Sequence, residues 1–197
     1  MNNRNRSIFS IVFFTLALSC KTSQKSIKIF SNITDNRIIL RLAKDNLNKV
    51  ITIQFPNKIE IMNDSFGEES FVMIDYIQGN FFRTRRNFRI ELYTINKDIL
   101  NPTSNNQKRT IPSKASLQYV FYTRHFVDSS KTSQEQFQSY VQEMLEENKD
   151  TLHIGTVSDF KKNHKELFER LTENDSISVQ FLDGNKFGER ITVPVEW

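Results

Sequence analysis

From residue 37 the chain alternates apolar and polar side chains with a period of two, the pattern of half-buried strands. RIILRLA (37–43), VITIQF (50–55), KIEIMND (58–64), FVMIDYI (71–77) and FRIELYTI (88–95) each predict a strand. In the second run Ile51, Ile53 and Phe55 fall on one face, and in the third Ile59 and Ile61 point inward. Pro56-Asn57 reads as a break between those two runs. Phe88, Ile90 and Leu92 oppose Arg89, Glu91 and Tyr93. Residues 96–116, with Pro102, Pro112 and an asparagine pair, read as a long irregular surface loop. SLQYVFYTRHFV (116–127) carries bulky residues on both faces, as a strand buried on two sides does.

The period then changes. Phe137, Tyr140, Val141, Met144 and Leu145 form one helical stripe. Thr132 with Glu135, or Ser133 with Gln136, would close a capping box at its start. After the connector DTLHIGTV, Ser158 is placed to cap a second helix with Phe160, Leu167, Phe168 and Leu171 on one side. Ile177, Val179 and Phe181 alternate, a glycine-containing turn follows, and Ile191, Val193, Val195 and Trp197 alternate again, which predicts a hairpin with Pro194 at an edge. About eight strands with two helices between the sixth and seventh predict a mainly β fold. The expected architecture is an antiparallel, immunoglobulin-like β-sandwich with an inserted helix pair before a C-terminal hairpin. The alternative is an α+β domain whose helices cover one face of a single sheet.

Composition narrows the function. Seventeen phenylalanines suggest a core of large side chains, while five glycines, none clustered, supply no phosphate-cradling loop. The chain has 27 basic and 23 acidic residues, and two of the basic ones are Arg4 and Arg6 at its start. The remaining near balance is not the charge of a nucleic-acid binder.

The first twenty residues explain the single cysteine. A basic MNNRNR precedes the uncharged SIFSIVFFTLAL (7–18), about a dozen residues and too short for a span of about 20. A basic start, a short apolar run and small residues form a secretory signal. Ala17-Leu18-Ser19-Cys20 resembles the lipobox of bacterial lipoproteins, although an ordinary cleaved signal ending in a cysteine fits the same residues. The lipobox resemblance implies cleavage before Cys20, a diacylglyceryl group on its thiol and attachment to the membrane through that lipid. With Lys21 rather than Asp next in the chain, the family's sorting rule implies the bacterial outer membrane, with a periplasm-facing position favoured over the surface. The expected organisation is a signal peptide over 1–19, a lipidated tether over 20–32 and one β-rich domain over 33–197 with its helical insertion at about 133–173.

Candidate chemistry is sparse. His125, His153 and His164 lack metal-ligand spacing, GTVS (155–158) is not G-x-S-x-G, and no cofactor is expected. Glu68-Glu69 and Glu146-Glu147 read as solvated charge. Tyr119, Phe121, Tyr122 and Phe126 read as core before they read as a ligand surface. The sharpest cluster is FFRTRRNFR (81–89), where Arg83, Arg85 and Arg89 could fork onto a phosphate or carboxylate. The same run also reads as loop charge. The functional expectation is a lipid-anchored, non-enzymatic interaction or assembly module of the cell envelope, its partner an envelope protein. A binder of anionic lipid headgroups or acidic glycans is the alternative, and an enzyme of unmarked mechanism the second.

Overall fold

A computed structural model describes residues 27–44, 46–79, 90–97 and 99–197. Among them thirteen strands and four helices run in the order β1 (Ile27–Ile33), β2 (Ile39–Ala43), β3 (Asn46–Gln54), β4 (Pro56–Asn63), β5 (Glu69–Ile77), β6 (Glu91–Asn96), β7 (Ile99–Thr103), β8 (Arg109–Ile111), β9 (Ser116–Tyr122), β10 (His125–Phe126), α1 (Lys131–Glu135), α2 (Gln138–Glu146), β11 (Thr151–His153), α3 (Val157–Asn163), α4 (Lys165–Thr172), β12 (Ser176–Asp183) and β13 (Lys186–Pro194). They form antiparallel sheets ordered β1-β4-β9-β6-β7, β10-β3-β2-β11 and β13-β12-β5-β8.

The first two sheets share two continuous chain passages. β3 runs into β4 through Phe55 alone, and β9 runs into β10 through Thr123 and Arg124. One register holds along both passages, from Met62 opposite Ser116 through Pro56 opposite Tyr122 to Phe126 opposite Thr52. At the joint the Thr123 N–H donates to the Phe55 carbonyl at 3.0 Å, and the Phe55 N–H donates to Thr123 Oγ1 at 3.2 Å. Pro56 therefore does not end the strand. It opens β4, a place where a missing N–H is tolerated. Because the register never slips, one alternation covers the whole second passage. Leu117, Tyr119, Phe121, Thr123 and His125 face one side, and Gln118, Val120, Tyr122, Arg124 and Phe126 the other.

That one face has two different covers. Ile59, Ile61, Tyr119 and Phe121 pack against Phe71, Ile74, Ile177, Val179 and Phe181 of the third sheet, which makes a β-sandwich. Leu40, Val50, Ile53 and Phe55 pack against Phe137, Val141, Phe160, Leu167 and Phe168, which makes a helix-covered sheet. Trp197 touches both cores. The fold is thus mainly β and sandwich-like, with its helices ahead of the C-terminal hairpin. The helix-on-sheet packing expected as the alternative is present beside the sandwich.

Several expectations change in detail. Residues 27–32, assigned above to the tether, form most of β1, which pairs with β4. The segment 96–116, expected to be irregular, contains β7 and β8. Both are outermost strands of their sheets, so their polar residues and Pro102 are tolerated there. Two side-chain amides stand in for missing strand neighbours. Asn105 accepts from the Ile74 N–H at 3.0 Å and donates to its carbonyl at 2.6 Å. Gln134 does the same at Val50, at 3.0 and 2.9 Å. The helix starts also differ: Ser130 caps α1, and Thr156 with Asp159 forms the capping box of α3. The second predicted helix is interrupted at His164. The C-terminal hairpin turns through Gly184-Asn185, with a positive φ at Gly184, the position where a type II′ turn uses glycine. Pro194 lies on the edge strand β13, as the sequence predicts. No described helix is long and apolar enough to cross a membrane.

Phe55 carries the largest packing load at the joint. It is fully buried, and its ring lies 5.1–5.8 Å from those of His125, Phe160, Phe168 and Trp197. Truncating a buried phenylalanine costs about 3–5 kcal/mol. Phe55→Ala should lower the unfolding free energy by that amount in urea denaturation, whereas Phe187→Ala, on a side chain 75% exposed, should leave it within about 0.5 kcal/mol.

Candidate functional site

Among the described residues, polar and charged side chains gather at the joint itself and in a groove on the opposite face of the same strands.

At the joint a buried network ties β5 and the turn before β12 to the β9–β10 passage. His125 Nε2 lies 2.9 Å from Thr123 Oγ1 and 3.4 Å from the Tyr76 hydroxyl, and its Nδ1 lies 3.2 Å from Gln78 Nε2. An amide nitrogen only donates, so Nδ1 accepts and the ring proton belongs on Nε2, facing Thr123. The Tyr76 hydroxyl donates to Asp175 Oδ2, and the Gly79 N–H donates to Asp175 Oδ1 at 3.1 Å. A side chain at Gly79 would collide with the Glu173 carbonyl, so glycine lets the end of β5 pass this close to the turn before β12. Asn174, in that turn, has a φ of 56°, which asparagine tolerates better than most residues. A second link runs through Asn57, whose amide donates to the Glu196 carbonyl at 3.0 Å while the Glu196 N–H donates to Ser31 Oγ at 3.0 Å.

Tyr76, Thr123, His125 and Asp175 are each at most 6% exposed. Burial sets their protonation. It holds the His125 imidazole at about 3, against an ordinary 6.5, because a cation there would be desolvated, with a smaller opposing effect from the Leu171 carbonyl. Burial pushes the Asp175 carboxyl up to about 6, resisted by its bonds from Tyr76 and Gly79. It also raises the Tyr76 phenol well above its usual range, with the Asp175 charge adding to the effect.

The groove lies on the other side. Its volume is about 610 Å³, and it is lined by Arg41, Leu42, Lys44, Ile51, Thr52, Glu91, Arg124 and Phe126. A line of polar contacts crosses it. Arg41 donates from Nε to Gln54 Oε1 at 3.1 Å and from Nη1 to Thr151 Oγ1 at 3.5 Å. Gln54 donates to Glu91 Oε1 at 3.3 Å, where Arg124 Nη2 also donates at 3.2 Å. The Tyr93 hydroxyl donates to the other Glu91 oxygen at 3.2 Å. Arg124 Nε is buried without an acceptor. Three of the lining residues are basic and one is acidic, so the groove keeps a positive excess.

Local structure explains how these residues meet. Arg41, Thr52, Gln54, Arg124 and Phe126 occupy the outward positions of β2, β3 and the β9–β10 passage. Between β2 and β3, Arg41 pairs with Thr52 while Leu42 pairs with Val50, so Ile51 is the extra residue of a β-bulge. The bulge puts Val50 into the core and leaves Ile51 41% exposed at the groove. The expected single face of Ile51, Ile53 and Phe55 is corrected accordingly, because strict alternation cannot foresee an inserted residue.

Of the residues singled out in the sequence, Cys20, Arg83, Arg85 and Arg89 lie outside the described residues. His125 is buried at the joint, His153 is exposed on β11, and the His164 ring rests 4.6 Å from that of Phe160. Among the described residues no three His, Cys, Asp or Glu side chains are grouped to hold a metal ion. Tyr119 and Phe121 are core, Tyr122 joins a small cluster with Ile39 and Val120 on the outer face, and Phe126 reaches the groove 54% exposed. Arg41, Lys44 and Arg124 were missed because they stand singly in sequence, the first two in and just after β2 and the third about 80 residues later between β9 and β10. Comparison of the chain with protein families, with curated proteins and with solved structures finds no match.

The joint generates a pH prediction with two opposed contributions. His125 has a lower pKa folded than unfolded, so its contribution to stability is full above pH 6.5 and is lost as pH falls toward 3. Asp175 has a higher pKa folded, so its contribution is full below pH 3.8 and is lost as pH rises through 6. Acidification from about pH 6.5 to 4 therefore destabilises through His125 and is partly offset by Asp175. Asp175→Asn should make urea midpoints fall more steeply over that interval than in the wild type. An equal or shallower slope would remove Asp175 from this account.

Proposed function

We propose that the protein is a lipid-anchored component of the bacterial cell envelope whose folded domain is a non-catalytic binding module. The anchor reading rests on Arg4, Arg6, the apolar run and the lipobox-like Ala17–Cys20. The outer membrane, facing the periplasm, is the location this reading assigns. The binding reading rests on one observation, the groove between Arg41 and Arg124 with its excess of positive charge. The joint supports the same reading, because its histidine, tyrosine and carboxylate are buried and bonded to one another as structural partners.

The groove also favours the second form of this reading, a binder of anionic groups on lipids or glycans. Its cations differ from those the sequence singled out. Arg83, Arg85 and Arg89 enter this proposal through their sequence spacing alone, as further cations after the end of β5.

The anchor is tested at Cys20. The mass of the N-terminal peptide from cell membranes should correspond to a chain beginning at Cys20 and carrying acyl groups, because stable attachment takes two or more chains. Cys20→Ala should move the protein out of the detergent phase. A Cys20 peptide without acyl mass would overturn the anchor. Cross-linking in intact cells, compared between the wild type and an Arg41→Ala/Arg124→Ala chain, tests whether the groove recruits the partner.

A further inference from the structure

We infer that the groove is a site for an anionic amphiphile: a molecule with one carboxylate or phosphate head and a single acyl chain. This deepens the binding-module reading above and rests on it.

Three features of the groove carry the inference. The first is preorganised charge. Arg41 is held by Gln54 and Thr151, and Arg124 by Glu91, so both guanidinium groups are positioned before a ligand arrives. A fork held in place loses less entropy on binding than a free side chain does. Lys44, exposed at the same lining, adds a third cation. The second is incomplete satisfaction. Glu91 offers two oxygens, and these are shared among Gln54, Arg124 and Tyr93, while Arg124 Nε has no acceptor. An anionic head supplies a further acceptor to the Arg124 guanidinium, whose side chain is 41% exposed to the groove although its Nε is covered.

The third feature is apolar surface beside the charge. The bulge turns Ile51 outward, Phe126 is more than half exposed, and Leu42 lies beneath them in the lining. Sheet faces usually place polar side chains toward water, and here two large apolar ones stand next to two arginines. A purely inorganic anion would make no use of Ile51 and Phe126. A neutral acyl chain would make no use of Arg41, Lys44 and Arg124. A ligand with an anionic head and an apolar chain uses both. The groove volume falls within the roughly 300–1,000 Å³ of small-molecule sites, large enough for the head and the first part of a chain.

Glu91 then has a defined role. It holds Arg124 in place and competes with the ligand head for it. Glu91→Gln keeps side-chain hydrogen bonding at this position while removing the negative charge, so it should tighten binding of an anion.

The test is calorimetric titration of the purified chain at low salt with dodecanoate, dodecyl phosphate, inorganic phosphate and dodecyl maltoside, the amphiphiles kept below their micelle concentrations. The expected result is saturable binding of at least one of the two anionic amphiphiles, and inorganic phosphate and the neutral maltoside at least about tenfold weaker than it. Arg41→Ala/Arg124→Ala should weaken binding by about tenfold or more, and Glu91→Gln should strengthen it severalfold. Phe126→Ala should weaken the amphiphiles but not inorganic phosphate. Tighter binding of dodecyl phosphate assigns the head to a phospholipid-type source, and tighter binding of dodecanoate assigns it to a fatty acid. Should the alanine pair unfold, Arg41→Lys/Arg124→Lys keeps the charge and removes the forks, and it should still bind several times more weakly. Failure of both amphiphiles to bind, or binding indifferent to the arginine substitutions, would overturn the inference. An acylated Cys20 with groove-dependent cross-linking in cells would in that case leave the binding-module reading standing with a different ligand.

Discussion

The uninterrupted pairing of residues 52–62 with residues 116–126 is the constraint on which the other features depend. Two passages of chain hold one register across a change of sheet, and the hydrogen bonds between Thr123 and Phe55 carry the ladder over the residues that belong to neither sheet. A slip of one residue anywhere along them would invert every side chain beyond it. Tyr119 and Phe121 would leave the sandwich core, and His125 would leave the joint. The same slip would pull Arg124 and Phe126 out of the groove. Both cores and the groove therefore depend on a single alignment.

Two unlike covers on one strand face create a physical difficulty where they meet. The third sheet and the helices approach the shared strands from different elements, and the seam between them is not purely apolar. Ser31, Asn57, Thr123, His125, Asp175 and the main chain of Glu196 meet there, each bonded to a partner from another element. Buried polar groups are costly when unpaired and specific when paired. Their bonds orient the third sheet, through Tyr76 and Asp175, relative to the shared strands, while Phe55 and Trp197 fill the apolar space between. Trp197 Nε1, buried without an acceptor, is a residual cost of this packing.

The opposite face is free of that packing demand, and its side chains follow a different logic. The line from Thr151 through Arg41, Gln54 and Glu91 to Arg124 crosses four strands of two sheets, β11, β2, β3 and β6, and ends on the β9–β10 passage. A bulge adds an apolar residue to a polar surface. Bulges break the ladder and re-aim side chains, and they cluster near functional positions. In the groove, preorganised cations and exposed apolar side chains adjoin.

Local pattern was enough to determine the predominance of strands, the two helical stripes, the C-terminal hairpin and the edge position of Pro194, because period and turn chemistry are properties of neighbouring residues. It was also enough to mark Tyr119, Phe121, Phe137 and Phe168 as core. Pattern failed where the partner of a segment decides its state. β1 and β7 are strands because β4 and β6 offer them unpaired edges, and Pro56 continues a strand because pairing proceeds around it. Asn105 and Gln134 serve as strand surrogates only because of where β5 and β3 pass. The candidate site was the least legible part. Three arginines clustered in sequence drew attention to 83–89, whereas the groove's cations at 41, 44 and 124 come together only when β3 pairs with β2 on one side and with the β9–β10 passage on the other. Sequence proximity reports charge density along a chain. Tertiary pairing decides which charges share a surface, and here it brings residues about 80 positions apart together through the bulged β2–β3 pairing and the unbroken register between β3–β4 and β9–β10.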